Sequence, residues 1–145
     1  MPPLVRLYIR TAFVYFVAGF LLLALMALDG WLNLGRWFTA VSVSQLHLLV
    51  VGWITQLSIG VAYWMFPRFL KEDNPRPRGS DALASTVYIC LNAGLVLRLA
   101  AEPFYRMRMT GQEWLAAVVA LSGVLQAAAA VGFGLLIWAR IRPLE

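Results

Sequence analysis

The sequence predicts an all-α integral membrane protein that folds as a bundle of four antiparallel helices. Of its 145 residues, 61% are hydrophobic and only 13% are charged, whereas about a quarter of a soluble domain is charged. The mean hydropathy is +0.74. At roughly 20 residues per span, this length accommodates about four spans with short connections. We therefore expect residues 1–145 to form a single transmembrane domain.

Charged and helix-breaking residues delimit the spans. The first helix is expected to end at Asp29-Gly30, the second at Pro67-Arg68 and the third at Glu102-Pro103, because proline and glycine interrupt helical segments. Arginines near the C-terminus end the fourth. The predicted helices cover residues 11–29, 39–66, 82–101 and 114–139.

The distribution of basic residues predicts the orientation. With four spans, both termini and the loop between the second and third helices share one side of the membrane. That side carries eight of the 12 lysines and arginines, and the opposite side carries four. The positive-inside rule therefore places both termini in the cytoplasm. The same flanking arginines explain the net charge of +5, and with no basic stripe along one face we expect no nucleic-acid partner.

The second helix contains the only histidine of the chain, His47. An ionisable or metal-ligating residue inside a span is costly and usually marks function. Two interpretations follow from the residues: His47 is an axial ligand of a haem, or it makes a structural hydrogen bond to a backbone carbonyl or to a neighbouring helix, for example to Gln126. At about 100° per residue, His47 shares a face with Ile54, Ser58 and Met65. The opposite, small and polar face carries Gln45, Gly52, Gln56, Gly60 and Tyr63, and the sequence does not decide which face is interior.

Arg98 is expected at the same depth as His47, in the outer leaflet. A cation beside an imidazole suits an anionic haem, with the iron on His47 and the propionates on Arg98. The alternative is that Arg98 snorkels to lipid headgroups. Arg36, Arg106 and Arg108 are expected at the outer interface, as secondary candidates for the propionates. Met107 and Met109 are candidates for a sixth ligand.

The residue inventory excludes most catalytic sites. The chain has one histidine and one cysteine, which excludes a three-histidine copper site and covalent c-type haem attachment. The spans contain no carboxylate pair and no Ser/His/Asp set. We therefore expect no catalytic site of the chain's own.

Small residues recur at spacings of three and four along the fourth helix. Such rows allow helices to approach closely, either within one chain or between two chains. Both interpretations stay open at this stage. The row consists of Ala116, Ala120, Gly123, Ala127, Ala130 and Gly134.

The second helix carries the pattern His47, Gly52-Trp53, Gly60, Tyr63 and Pro67-Arg68. It resembles the second transmembrane helix of haem–copper oxidase subunit I, particularly in C-family oxidases and nitric oxide reductases, and of short four-helix proteins of the subunit I type. The resemblance covers about 27 of the 145 residues. It implies a low-spin haem b near the outer face of a bacterial cytoplasmic membrane, with His47 as an axial ligand of the iron. Outer-side arginines hold the propionates in that family, which favours Arg98.

The departures from the family limit what the resemblance implies. A full subunit I has roughly twelve spans, a second low-spin ligand and three copper ligands, none of which this chain can supply. Some short relatives carry a second histidine two residues before the ligand, where this chain has Gln45. We therefore expect a b-type haem electron carrier without oxygen reduction, in which a homodimer shares one haem or each chain holds a five-coordinate haem suited to a gas. A cytochrome or a quinol would be the redox partner. The alternative is a cofactor-free subunit or assembly factor of a respiratory complex.

Overall fold

The computed structural model describes residues 1–33, 35–67, 78–107, 113–138, 140 and 141, with the side chain of Arg36 excluded. The described residues form an all-helical bundle, as predicted. Helix α1 is Pro3–Leu32, α2 is Arg36–Ala40, α3 is Ser42–Met65, α4 is Asp81–Arg106 and α5 is Trp114–Trp138. All but α2 are long and apolar enough to cross a membrane. We call the end of the bundle that holds Leu32 and Arg106 the distal end.

Glycines bring neighbouring helices together in antiparallel pairs. A Cβ placed at Gly60 of α3 would lie 2.7 Å from Tyr8 of α1, and one at Gly52 would lie 2.7 Å from Tyr15. Residue numbers rise along α1 as they fall along α3, so these two helices are antiparallel. In the second pair, a Cβ at Gly94 of α4 would lie 2.8 Å from the backbone oxygen of Ser122 in α5.

Tyrosines of α1 join the two pairs. The Tyr8 hydroxyl donates to the backbone oxygen of Ala84 at 3.0 Å, and the Tyr15 hydroxyl donates to Oδ1 of Asn92 at 2.8 Å. Both acceptors lie on α4. Residue numbers rise in the same direction along α1 and α4, so these two helices are parallel. These bonds satisfy polar groups that would otherwise be costly at membrane depth.

The second predicted helix is divided in the structure. It begins with the short α2, and α3 contains a π-helical segment, Leu48–Thr55, directly after His47. The Thr55 hydroxyl donates to the backbone oxygen of Val50, five residues before it, at 2.8 Å. A π-helical turn accommodates more residues than an α-helical turn, and such segments are frequent at functional sites. The residues on either side of it therefore do not keep the 100° register assumed from the sequence.

Two helix ends differ from the sequence prediction. Helix α1 begins at Pro3 rather than near residue 11, since proline fits the first turn, where its missing N–H would be unpaired in any case. Helix α4 continues through Glu102-Pro103 to Arg106 instead of ending at residue 101. Its packing outweighs the lost backbone hydrogen bond, because Ala101, Glu102 and Pro103 are all buried. Glu102 is thereby placed inside the bundle.

Arg140 stabilises the C-terminal end of α3, opposite the distal end of the bundle. Its side chain is buried, with 2% exposed, and its guanidinium donates to the backbone oxygens of Tyr63, Phe66 and Pro67 at 3.1, 2.6 and 3.0 Å. Carbonyls at the C-terminus of a helix have no partner within the helix. Arg140 therefore supplies donors where α3 ends.

The close contact at Gly94 makes a testable prediction. We expect Gly94→Ala to lower the free energy of unfolding by about 1–3 kcal/mol, because the new methyl group meets a backbone oxygen that cannot move aside. Gly30→Ala is the matched control, since a Cβ at Gly30 meets no described atom within 4 Å and alanine has the higher helix propensity. Thermal unfolding in detergent measures both, and equal stability of the two variants would contradict the prediction.

Candidate functional site

A cluster of polar side chains lies where α3, α4 and α5 meet, toward the distal end. It contains His47 from α3, Arg98 and Glu102 from α4, and Ser122 from α5. The prediction that His47 and Arg98 lie at the same depth is confirmed by their contact, because His47 Nε2 and Arg98 Nη1 are 3.2 Å apart. Polar groups at this depth gain from internal partners, since hydrocarbon offers none.

The hydrogen bonds of His47 assign its tautomer. Nδ1 lies 2.8 Å from the backbone oxygen of Val43, one turn earlier, and a carbonyl can only accept. Nε2 faces the guanidinium of Arg98, which can only donate. We therefore assign the proton to Nδ1 and the lone pair to Nε2. Nδ1 thus donates to the backbone, and Nε2 accepts from Arg98.

The alternative interpretation predicted that Arg98 reaches toward lipid headgroups. The structure shows its side chain turned into the bundle instead. Its side chain is only 19% exposed, and its Nε donates to Oγ of Ser122 at 3.2 Å while Nη1 reaches His47. Ser122 in turn donates to the backbone oxygen of Val119 at 2.7 Å. The guanidinium thus bridges three helices.

Glu102 belongs to the cluster, although sequence reasoning treated it only as the end of a helix. It is 6% exposed, and its Oε2 lies 3.9 Å from Arg98 Nη1 and 4.0 Å from His47 Nδ1. Within the described residues, Oε2 has no hydrogen-bond partner. The spacing of four residues between Arg98 and Glu102 was a signal for this contact, since such residues share a helix face.

The structure also decides which face of α3 is interior. Gln45, Gly52, Gln56, Gly60 and Tyr63 are all buried. In contrast, Ile54, Ser58 and Met65 are exposed, while His47 is half-buried against α4. The π-helical segment contains Ile54 and separates His47 from Ser58 and Met65, so His47 does not keep the register with them that an α-helix would give.

The remaining predicted site residues lie around the cluster or outside the described part of the chain. Arg106 is exposed and lines a pocket of about 230 Å³ with Thr39, Ala40 and Met107. This pocket lies one turn distal to Glu102. The side chain of Arg36 is outside the described residues, as are Arg108 and Met109.

Gln126, the partner first considered for a structural His47, packs elsewhere. A Cβ placed at Gly94, which lies one turn before Arg98 in α4, would be 3.0 Å from Cγ of Gln126. Its Nε2 is buried and has no hydrogen-bond partner within the described residues. His47 bonds to Val43 and Arg98 instead. Gln126 as its partner was therefore wrong, while the bond to a backbone carbonyl that the structural interpretation also named is present.

Among the described residues, no group of three or more His, Cys, Asp or Glu side chains is placed to hold a metal ion. That finding concerns metal ions held by protein side chains alone. It does not bear on haem, because a haem iron needs only axial ligands from the protein. No protein-family model, curated protein or solved structure matches this chain.

The tautomer of His47 is directly testable because the chain has one histidine, which gives a single imidazole signal. We expect nitrogen NMR of the labelled protein without added ligand to show a protonated Nδ1 and an unprotonated Nε2. Arg98→Leu should shift the Nε2 resonance by removing its donor, while Arg10→Leu, at an exposed position of α1, should not. A proton on Nε2 in the unsubstituted protein would contradict the assignment.

Proposed function

We propose that the protein is a b-type haem-binding protein of a bacterial cytoplasmic membrane, related to haem–copper oxidase subunit I, that transfers electrons without reducing oxygen. His47 Nε2 would ligate the iron, and Arg98 would hold the propionates. The observation that carries the proposal is the hydrogen bond from His47 Nδ1 to the backbone oxygen of Val43. Metal-ligating histidines almost always donate their other ring nitrogen in this way, which fixes the ring and leaves the ligating lone pair free of a proton.

The surrounding residues fit such a group. Nε2 is met by a side chain, Arg98, rather than by backbone, and a guanidinium carries five donors that can pair with carboxylates. The His47 side chain is 21% exposed, so its ring can be reached from the side of the bundle. Gly123 lies beside the guanidinium, because a Cβ placed there would be in ordinary van der Waals contact with Arg98 Nη2, at 3.9 Å.

Each residue of the cluster then has a distinct task. The bond to Val43 fixes the His47 ring that would ligate the iron, and Ser122 holds Arg98 through Nε. Arg98 would neutralise the propionates. Glu102 attracts the guanidinium at 3.9 Å and keeps it next to His47. Haem bound here would supply a one-electron centre, whose potential depends on its axial ligands and burial.

The position of the cluster favours electron exchange at the distal side. His47 lies within about two turns of the beginning of α3, and Arg106 lines a pocket further out. We propose a cytochrome or a quinol as the redox partner at this side.

A second candidate function rests on a different observation. Both ring nitrogens of His47 already have partners within the chain, as a structural histidine would. In that case the protein is a cofactor-free membrane subunit or assembly factor of a respiratory complex, and the cluster serves to hold α3, α4 and α5 together.

An absorption spectrum distinguishes these candidates. We expect the detergent-purified protein to show a sharp α-band after reduction with dithionite, and both His47→Ala and His47→Gln to lack it. The glutamine variant is informative because its amide can still accept a hydrogen bond from Arg98 while ligating iron poorly. A colourless unsubstituted protein, even after haem is added back, would contradict the haem proposal.

The role of Arg98 is tested separately by titration with haem. We expect Arg98→Leu to weaken haem binding about 10–100-fold, the usual cost of losing a group that supports a ligand shell. Arg6→Leu is the control, because Arg6 is exposed at the end that holds the termini. Equal affinities of the two variants would remove Arg98 from the site.

A further inference from the structure

Nε2 of His47 has a donor within the chain. A neutral imidazole has one unprotonated ring nitrogen, and in His47 the proton lies on Nδ1, which bonds to the backbone oxygen of Val43. Nη1 of Arg98 lies 3.2 Å from the other nitrogen, Nε2. The single lone pair of Nε2 cannot accept this hydrogen bond and coordinate an iron at the same time. Arg98 therefore caps the atom that the proposed function needs as a ligand.

Arg98 has a second partner within reach on its own helix. Glu102 lies one turn further along α4, and its Oε2 is 3.9 Å from Arg98 Nη1. This carboxylate oxygen is buried and has no hydrogen-bond partner within the described residues. A charge-assisted hydrogen bond is roughly 2.7–2.9 Å long, so a shift of about 1 Å would form one. The guanidinium can thus leave Nε2 and still have an acceptor.

Ser122 provides a fixed point for such a movement. Its Oγ accepts from Nε of Arg98 at 3.2 Å and itself donates to the backbone oxygen of Val119 at 2.7 Å. Nε precedes the two terminal nitrogens along the side chain, so these can turn while the bond to Ser122 is kept. The turn exchanges a neutral acceptor, the imidazole, for a charged one, and hydrogen bonds to charged groups are about twice as strong.

The charge of an entering ligand decides whether the cap is displaced. A carboxylate attracts the guanidinium strongly at membrane depth, because Coulomb interactions are little screened away from water. An uncharged ligand offers no such attraction, and a free metal cation is repelled by the guanidinium. Either of these must compete with Arg98 for Nε2, whereas an anionic ligand gains from the displacement.

We propose that Arg98 determines the ligand specificity of this site, by capping His47 Nε2 until a ligand with free carboxylates draws the guanidinium away. The ligand class is a metalloporphyrin with ionised carboxylate groups, and esterified porphyrins and free metal ions are rejected. This inference rests on the proposed haem function and gives Arg98 a task beyond holding the propionates.

Chemical modification of His47 tests the cap without haem. Diethyl pyrocarbonate acylates an unprotonated imidazole nitrogen, and the chain has one histidine. We expect Arg98→Leu to raise the rate at which His47 is modified about tenfold, the effect of one lost hydrogen bond. Ser122→Ala, a milder change that removes the acceptor of Nε, should raise the rate by a smaller factor. Arg10→Leu, at an exposed position of α1, is the control, and rates equal to it in both variants would overturn the cap.

Titration with two porphyrins tests the specificity. Haem and its dimethyl ester present the same iron, but the ester carries no charged carboxylate. We expect the unsubstituted protein to prefer haem. Arg98→Leu should weaken the binding of haem and strengthen the binding of the ester about tenfold, because the ester no longer competes with a hydrogen bond at Nε2. A general loss of packing would instead change both affinities in the same direction, and that result would overturn the specificity role.

The two experiments separate this inference from the function on which it rests. A protein that binds neither porphyrin would contradict the haem function, while faster modification of His47 in Arg98→Leu would still establish the cap. A protein that binds haem and its ester equally well, with or without Arg98, would overturn the specificity and leave the haem proposal standing.

Discussion

The guanidinium of Arg98 is the contact on which the candidate site depends. It meets His47 of α3 through Nη1 and Ser122 of α5 through Nε, while its own helix, α4, lies between them. A charged group at this depth requires partners, because hydrocarbon offers no solvation. Those partners fix the relative positions of three helices. The same requirement brings the Glu102 carboxylate to within 3.9 Å of it.

The π-helical segment of α3 connects the fold to this site. Gln56, which follows the segment, is fully buried and donates to the hydroxyl of Thr11 in α1, while His47, which precedes it, faces α4. A uniform α-helix would carry the two side chains in a different relative direction. The segment thus allows α3 to pack on α1 through its small and polar face and still present its histidine to the other helix pair.

The two helix pairs meet through apolar clusters, such as Ile59 with Val87 and Leu91, and also through several polar contacts. Tyr8 and Tyr15 bond across to α4, and Tyr63 donates to Asp81 at 2.7 Å where α4 begins. Between helices in lipid, packing and hydrogen bonds replace the hydrophobic effect as the source of association.

The sequence by itself determined the features that depend on local composition. Hydropathy and helix breakers gave four spans, and the alternation of their direction placed His47 and Arg98 at one depth. The depth of a residue follows from its distance in sequence to the end of its span and from the rise per residue. This inference therefore needed no knowledge of which helices are neighbours. The inclusion of Glu102 was missed because Pro103 usually ends a helix, and in this chain its burial against neighbouring helices outweighs that tendency.

Only the tertiary structure decided which residues of each helix face inward. The interior face of α3, the π-helical register beside His47 and the exposure of the α5 row all depend on which helices are neighbours. Helical periodicity indicates which residues share a face, but it does not indicate which helix packs against that face. The choice among faces is made by shape and hydrogen bonding, as at Gly94 against Ser122, and these are properties of the assembled bundle.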